Sequence, residues 1–216
     1  MSLLEQIISF IAPHECLGCS AEGHLLCAAC AGSLPPAILE ESIPGVPQVW
    51  PGVIYDGLAK STVHILKFER AAAAAADIAA SIAAQLPRRN DWLVTHVPTA
   101  PARVRQRGYD QSRLVARLVA ARIAAPYSPL LARRTAVRQV GATRARRQQQ
   151  MQHAFRPLRV HTFQQKHILL IDDVLTTGST IAAAAAVLQA AGAAQVSAAV
   201  FAAAPFNASK KPPVLL

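Results

Sequence analysis

Two groups of residues in this sequence have types and spacing that could do chemistry. The first runs Ile168-Leu169-Leu170-Ile171-Asp172-Asp173-Val174-Leu175-Thr176-Thr177-Gly178-Ser179-Thr180. An apolar strand ends in two acids, a loop of hydroxyl residues with one glycine follows, and a helix starts at Thr180. In an open parallel sheet this order places the loop at the carboxyl end of a strand, where ligands bind. The loop and the first helical turn offer backbone N–H groups to an anion. Gly178 lets the backbone come close to a phosphate, and Thr176, Thr177 and Thr180 add hydroxyl donors. Asp172 and Asp173 cannot hold a phosphate themselves. They suit neutral hydroxyls, such as the 2′ and 3′ groups of a ribose. A plain helix cap with two solvated acids does not account for adjacent acids at the end of an apolar strand.

The second group is the 4 cysteines, as Cys16-Leu17-Gly18-Cys19 and Cys27-Ala28-Ala29-Cys30. Each pair forms a knuckle whose two thiolates can face one metal, and four thiolates at this spacing fit a tetrahedral zinc ion. Disulfides are the alternative in an oxidising compartment, but the apolar start Met1 to Ile11 carries Glu5 and lacks a basic leader. A redox Cys-x-x-Cys would stand alone beside a βαβ pattern. His14 and His24 lie close enough to replace a cysteine ligand. A unit this small holds no core of its own, so metal binding would fold it.

The elements that must position these residues follow from periodicity. Leu4, Ile7, Ile8 and Ile11 have helical spacing. A Pro-rich stretch from Ile43 to Pro51 separates a unit at 1–48 from one at 49–216. Val53 to Tyr55 reads as a short strand, turning at Asp56-Gly57, and a helical pattern begins over Val63 to Phe68. Ala71 to Leu86 is an Ala-rich helix with Ile78 and Ile82 on one side. Trp92 to Val97 is a buried strand. Ser112 to Ala124 is a helix with Leu114, Val115, Leu118 and Val119 inward and Arg113, Arg117 and Arg122 on the wet side. Ile168 to Ile171 and Gln195 to Phe201 are strands, and between them a helix from Thr180 closes at Gly192. Strands apolar on both faces, alternating with helices, give an α/β fold with a parallel sheet. The tail from Pro205 reads as loosely held. No apolar stretch is long and charge-free enough to span a bilayer, so no membrane insertion is expected.

Charge is distributed unevenly. The net charge is +10, and the 61 residues from Gln111 to Ile171 contain 12 Lys and Arg but no Asp or Glu. Such a surface attracts polyanions: diphosphates, nucleotides or nucleic acid. One basic block, Arg103, Arg105 and Arg107, follows the strand ending at Val97, at the ligand edge of the sheet. Arg makes forked contacts with phosphate. A second block, Arg133 to Arg147, holds six arginines and reads either as a lid over a reaction centre or as a stripe for nucleic acid. His64, His96 and His153 read as ordinary packed or surface residues.

The segment from Ile168 to Thr180 resembles, over its whole length, the signature by which type I phosphoribosyltransferases bind phosphoribosyl pyrophosphate (PRPP). The resemblance implies that Asp172 and Asp173 hold the ribose, and that Val174, Leu175, Thr176, Thr177, Gly178, Ser179 and Thr180 wrap the 5′-phosphate. With the paired cysteines it widens to the ComF family. The chain carries that family's Tyr55-Asp56-Gly57-Leu58, Lys67-Phe68, Val97-Pro98, Arg107-Gly108-Tyr109-Asp110-Gln111, Thr135, Gln139, Arg147 and Ala154-Phe155. It departs where the family has Asn before Gln111 and this chain has Asp110, and again at Ala142 and Gln150.

The resemblance implies a type I phosphoribosyltransferase-like fold behind a small zinc ribbon at Cys16, Cys19, Cys27 and Cys30. It implies a cytoplasmic protein that binds PRPP or a related phosphate ligand with Mg²⁺. Arg103 and Arg107 would neutralise the diphosphate beside Asp172 and Asp173. Transfer of a ribosyl 5-phosphate group and a part in DNA uptake during natural transformation are the functions that follow. The alternative is a non-catalytic competence factor that uses the same pocket and stripe for single-stranded DNA, a nucleotide or a DNA-uptake protein.

Overall fold

The computed structural model describes residues 14–39, 42–68, 71–134 and 154–204. The expected helix at Leu4 to Ile11 and the tail from Pro205 lie outside them. So do Thr135, Arg138, Gln139, Ala142, Arg144, Arg146, Arg147, Gln150 and His153.

Five strands build the centre, four of them expected from the sequence. β1 (Val49–Trp50) and β2 (Val53–Ile54) both pair with β7 (Gln195–Ala203), which pairs with β6 (His167–Leu175), which pairs with β3 (Trp92–His96). Every one of these pairings is parallel. The register sets Val94 opposite Leu169 and Leu170 opposite Ala198. Successive side chains alternate across a strand. Leu169 and Ile171 therefore enter one core and Ile168 and Leu170 the other.

The first core is closed by α2 (Gly57–Phe68), α3 (Ala71–Gln85) and α5 (Gln111–Arg122). Ala74, Ala75 and Ala79 on α3 and Ala116 and Ala120 on α5 are buried, so small side chains line the contact between these two helices. Arg113, Arg117 and Arg122 are exposed, on the side the periodicity assigns to water. The second core lies under α6 (Ser179–Ala190) and a small antiparallel pair, β4 (Leu131–Arg133) with β5 (Phe155–Pro157).

Both sheet edges are covered. Outside β3, Val94 N–H donates to Pro126 C=O at 2.8 Å and accepts at its own carbonyl from Ser128 N–H at 3.0 Å. Outside β2, Ala37 N–H donates to Gly52 C=O and Ile54 N–H to Pro35 C=O, both at 2.9 Å. Gly52 itself divides β1 from β2. Its φ is +67°, and a Cβ there would sit 1.9 Å from the Phe201 carbonyl oxygen, so only glycine fits.

The cysteine segment, with α1 (Ala28–Ser33), leans on the same core. Leu25 and Leu26 are 3% exposed and belong to the cluster under α2 and α3. Asp77 of α3 fastens them, accepting from Leu25 N–H at 2.8 Å and Leu26 N–H at 2.9 Å, with His24 Nδ1 2.9 Å from its other oxygen. Among the described residues no helix is long and apolar enough to cross a membrane.

Candidate functional site

β6 does not stop at the two acids. It continues through them to Leu175, because Asp172 and Val174 keep their backbone partners, Val200 and Ala202, on β7. The expectation of an apolar strand ending at Ile171 is corrected accordingly. The acids sit in the last turns of the pleat, with α6 beginning four residues after the strand.

Asp173 is 6% exposed and pairs with Lys67 Nζ, the penultimate residue of α2, at 2.9 Å. Its Oδ1 accepts from Val174 N–H. Asp172 accepts from the Ser112 hydroxyl of α5 at 2.9 Å and from Asp173 N–H at 2.9 Å. Burial first, and then the neighbouring Asp173 charge, push the Asp172 carboxyl up to about 8, against the pull of Ser112, the backbone and Lys67. Two carboxylates share one small volume, with one ammonium nearby to offset them.

The loop after β6 brings Thr176, Thr177 and Ser179 to the surface, with Thr180 partly buried. Thr177 Oγ1 and Ser179 Oγ are 2.9 Å apart. Gly178 caps α6 with φ +71°. It is buried, and a Cβ on it would meet Ile43 at 3.2 Å. Its glycine is thus required by the left-handed turn and by Ile43, apart from any ligand.

The first arginine block is not an open loop. It is a short helix, α4 (Pro101–Arg107), started by Pro101 and ended by Gly108 at φ +81°. Arg103 and Arg105 are exposed, and Arg107 turns its guanidinium over the Phe68 ring at 4.8 Å. Asp110, where the family pattern has Asn, is the N-cap of α5 and also binds Thr99 through its N–H and hydroxyl at 2.9 and 3.0 Å. It locks the chain after β3 onto the helix that carries Ser112. Beneath it lies His96, 4% exposed, hydrogen-bonded to Tyr127 and held down to about 4 by burial.

From the second block, Arg133 is described in full. Burial first, and then repulsion from Arg103, pull its guanidinium down, while Asp172 pulls it up. Arg103 and Arg133 therefore share one electrostatic neighbourhood with Asp172. Arg134 instead lines an open cavity of about 400 Å³ between β5 and α6.

The model of the phosphoribosyl transferase domain matches residues 72–213. The chain belongs to that family. The domain so defined holds β3, β6, β7, α5, α6, Asp172, Asp173 and the loop to Thr180. Two solved structures are similar over part of the chain. One is described as the allosteric regulatory enzyme of purine biosynthesis (21% identity, TM-score 0.43). The other is glutamine phosphoribosylpyrophosphate amidotransferase from B. subtilis, complexed with ADP and GMP (19% identity, TM-score 0.43). Each alignment covers 59% of this chain and 25% or 26% of the other, so this chain spans about a quarter of their length. No curated protein sequence matches it.

Ahead of the phosphoribosyl transferase domain lie the four cysteines. Their sulfurs all fall within 4.8 Å of one another, with Cys19 and Cys27 3.7 Å apart, and all four are free thiols. Tetrahedral Zn–S bonds of about 2.3 Å put sulfurs about 3.8 Å apart, so the donor set and its spacing fit zinc. Neither His14 nor His24 belongs to the cluster. The Cys27 N–H, first among several backbone donors, draws the Cys16 thiol down to about 6, which favours thiolate. Gly18 permits the knuckle, since a Cβ there would lie 2.7 Å from Cys30 Sγ and 3.0 Å from Leu58 of α2.

Reading residues along the chain missed three members of this neighbourhood. Lys67 and Ser112 touch the carboxylates across 106 and 60 positions of sequence, measured from the pairs Lys67–Asp173 and Ser112–Asp172. Arg133 was visible only as one of six arginines. The available signal was the placement of Lys67 and Ser112 at the ends of amphipathic helices, where a side chain can reach the strand edge.

Proposed function

We propose that this phosphoribosyl transferase domain binds PRPP at the carboxyl end of β6 and transfers its ribosyl 5-phosphate group to an acceptor. One observation carries the reading. Two neighbouring carboxyl groups, steadied by Lys67 and Ser112, stand ahead of the α6 N-terminus, and Asp172 shares its electrostatic surroundings with Arg103 and Arg133.

In this reading Asp172 and Asp173 accept hydrogen bonds from the ribose hydroxyls. The chain from Val174 to Thr180 takes the 5′-phosphate on its backbone N–H groups and hydroxyls. Arg103 and Arg133 face the diphosphate and stabilise it as the bond from C1 breaks and the electron pair leaves with it. The positive charge that grows at C1 lies near Asp173 and Asp172. Mg²⁺ carried by the diphosphate would supply further charge neutralisation, and Asp172 and Asp173 are the carboxyl groups that would hold it.

Membership of the ComF family, and with it a cytoplasmic role linked to DNA uptake, is the finer assignment. Its support is that two separated segments of that family's pattern meet in space. The Tyr109 hydroxyl donates to the Leu66 carbonyl, and Arg107 stacks on Phe68.

Isothermal titration with PRPP and Mg²⁺ tests the central claim. Saturable binding is expected, and Arg103→Gln should weaken it about tenfold by loss of a charge-assisted contact. Ribose 5-phosphate, which lacks the diphosphate, should bind both proteins equally. A parent protein that gives no binding with PRPP removes the proposal.

A further inference from the structure

Asp110 serves two backbone donors that an amide side chain could not serve together. Its Oδ2 accepts from Thr99 N–H at 2.9 Å, and its Oδ1 accepts from Arg113 N–H at 3.2 Å. The Thr99 hydroxyl adds a third bond, to Oδ1, at 3.0 Å. A backbone N–H only donates, so each of the two needs an oxygen. A carboxylate has two oxygens. An amide has one, and turns its own N–H groups toward the other donor. The side chain is 14% exposed, which leaves little room for water to replace a lost partner.

The bonds to Thr99 form a clasp across 11 positions of chain, and α4 lies inside it. The first turn of α4 begins next to Thr99, with Arg103 N–H donating to Ala100 C=O at 2.8 Å. Pro98 lies on the other side of Thr99, and its carbonyl oxygen is 3.5 Å from Arg133 Nη1. The segment from Pro98 to Arg103 therefore carries one arginine and supports the other. The far end of α4 is fastened separately, by Arg107 on Phe68 and by Tyr109 on the Leu66 carbonyl. The clasp is the fastening at the Arg103 end. Beyond Asp110 the chain enters α5, whose Ser112 donates to Asp172 at 2.9 Å. One carboxylate thus joins the segment that bears the arginines to the helix that steadies Asp172.

We propose that Asp110 is a positioning residue for the transfer, which through Thr99 and Pro98 sets Arg103 and Arg133 at the spacing from Asp172 that a sugar diphosphate spans. Asp110 acts through these residues and touches no substrate. Charges aimed at a leaving group lose much of their effect when displaced by about 1 Å, so a loop held at both ends serves better than one held at one. The inference rests on the PRPP reading. It assigns Asp110 to the diphosphate half of the ligand and not to the ribose 5-phosphate half.

The test is isothermal titration of the full chain with PRPP and Mg²⁺, and separately with ribose 5-phosphate. Asp110→Ser keeps an oxygen for the α5 cap, where serine is a good N-cap, and is too short to hold Thr99 as well. It should bind PRPP about tenfold more weakly and ribose 5-phosphate within about twofold of the parent. In an Arg103→Gln background the same substitution should cost about threefold or less, because one of the two arginines it positions is gone. Asp110→Asn has one oxygen for two backbone donors, so it should lose either PRPP affinity or melting temperature; losing neither overturns the two-oxygen argument. Thr99→Val removes the hydroxyl and no backbone bond. It should weaken PRPP about threefold, spare ribose 5-phosphate, and decide the matter if Asp110→Ser does not fold.

Equal losses for PRPP and ribose 5-phosphate, or no loss of PRPP affinity in these variants, refute the positioning role and leave the PRPP reading standing. Losses that add fully to that of Arg103→Gln also refute it, since Asp110 would then act elsewhere. A parent protein that does not bind PRPP removes the PRPP reading, and the positioning role falls with it.

Discussion

Replacing Asp172 with Asn should stabilise the protein, and more so as pH rises. In the folded chain the Asp172 carboxyl is pushed up to about 8, by burial and then by Asp173. In the unfolded chain an aspartate titrates near about 3.9. Between those values the folded state keeps a proton that the unfolded state releases, so stability falls as pH rises through that window. The slope for one proton is at most about 1.4 kcal/mol per pH unit. Asn can keep both hydrogen bonds that Asp172 Oδ1 accepts, from Ser112 and from Asp173 N–H, while removing the second charge. The variant and parent should therefore melt alike at pH 4.5 and separate steadily up to pH 8. Partial solvent access reduces the full effect, leaving about 2–3 kcal/mol, or about 5–10 °C for a chain of this size. Scanning calorimetry of both proteins across that range reads the difference directly. Parallel profiles would refute the argument, because the proton would then have no folded-state preference for this site. The same variant should bind PRPP more weakly, a gain in stability taken at the expense of the site.

Three further outcomes follow from geometry. Gly52→Ala should cost about 3 kcal/mol or more in urea unfolding, since its Cβ would overlap the Phe201 carbonyl at 1.9 Å; a loss under about 1 kcal/mol would mean that the edge strand shifts freely. Purified protein should carry one zinc per chain by metal analysis. Cys16→Ser should lose most of it, with faster amide exchange over residues 14–33 than over β6 and β7. Gly178→Val should lower melting temperature and PRPP affinity together, because it strains a φ of +71° by about 1–2 kcal/mol and crowds Ile43, whereas Thr177→Ala should lower affinity alone.

The sheet was legible in the sequence wherever strands are apolar on both faces, as in Ile168 to Ile171 and Gln195 to Phe201. The acids read correctly as neighbours of a strand end, but the strand's true limit did not. Backbone pairing of Asp172 with Val200 is indifferent to side-chain polarity, so a hydropathy break is not a strand break. The three arginines of α4 read as a basic block with no element assigned to it, yet Pro101 and Gly108 supply both ends of a helix whatever lies between. Lys67 was visible as part of a motif but not as a counter-ion, because its partner lies at the far end of the chain. The β4–β5 pair joins two three-residue segments separated by 21 residues, too short and too far apart for alternation to announce them.

The coverings on the two sheet edges bear on how the chain keeps to itself. A strand edge with free N–H and C=O groups templates pairing with another molecule. Here residues 35–37, which connect the cysteine segment to β1, occupy the outer rung beside Gly52 and Ile54, and residues 126–128 do the same beyond β3. The stretch between the thiol cluster and the sheet thus works as a sheath. A truncation starting at Val49 would keep the entire domain match at 72–213 and still uncover one edge. Such a fragment should associate and precipitate with rising concentration, readable by light scattering, while the full chain stays dispersed.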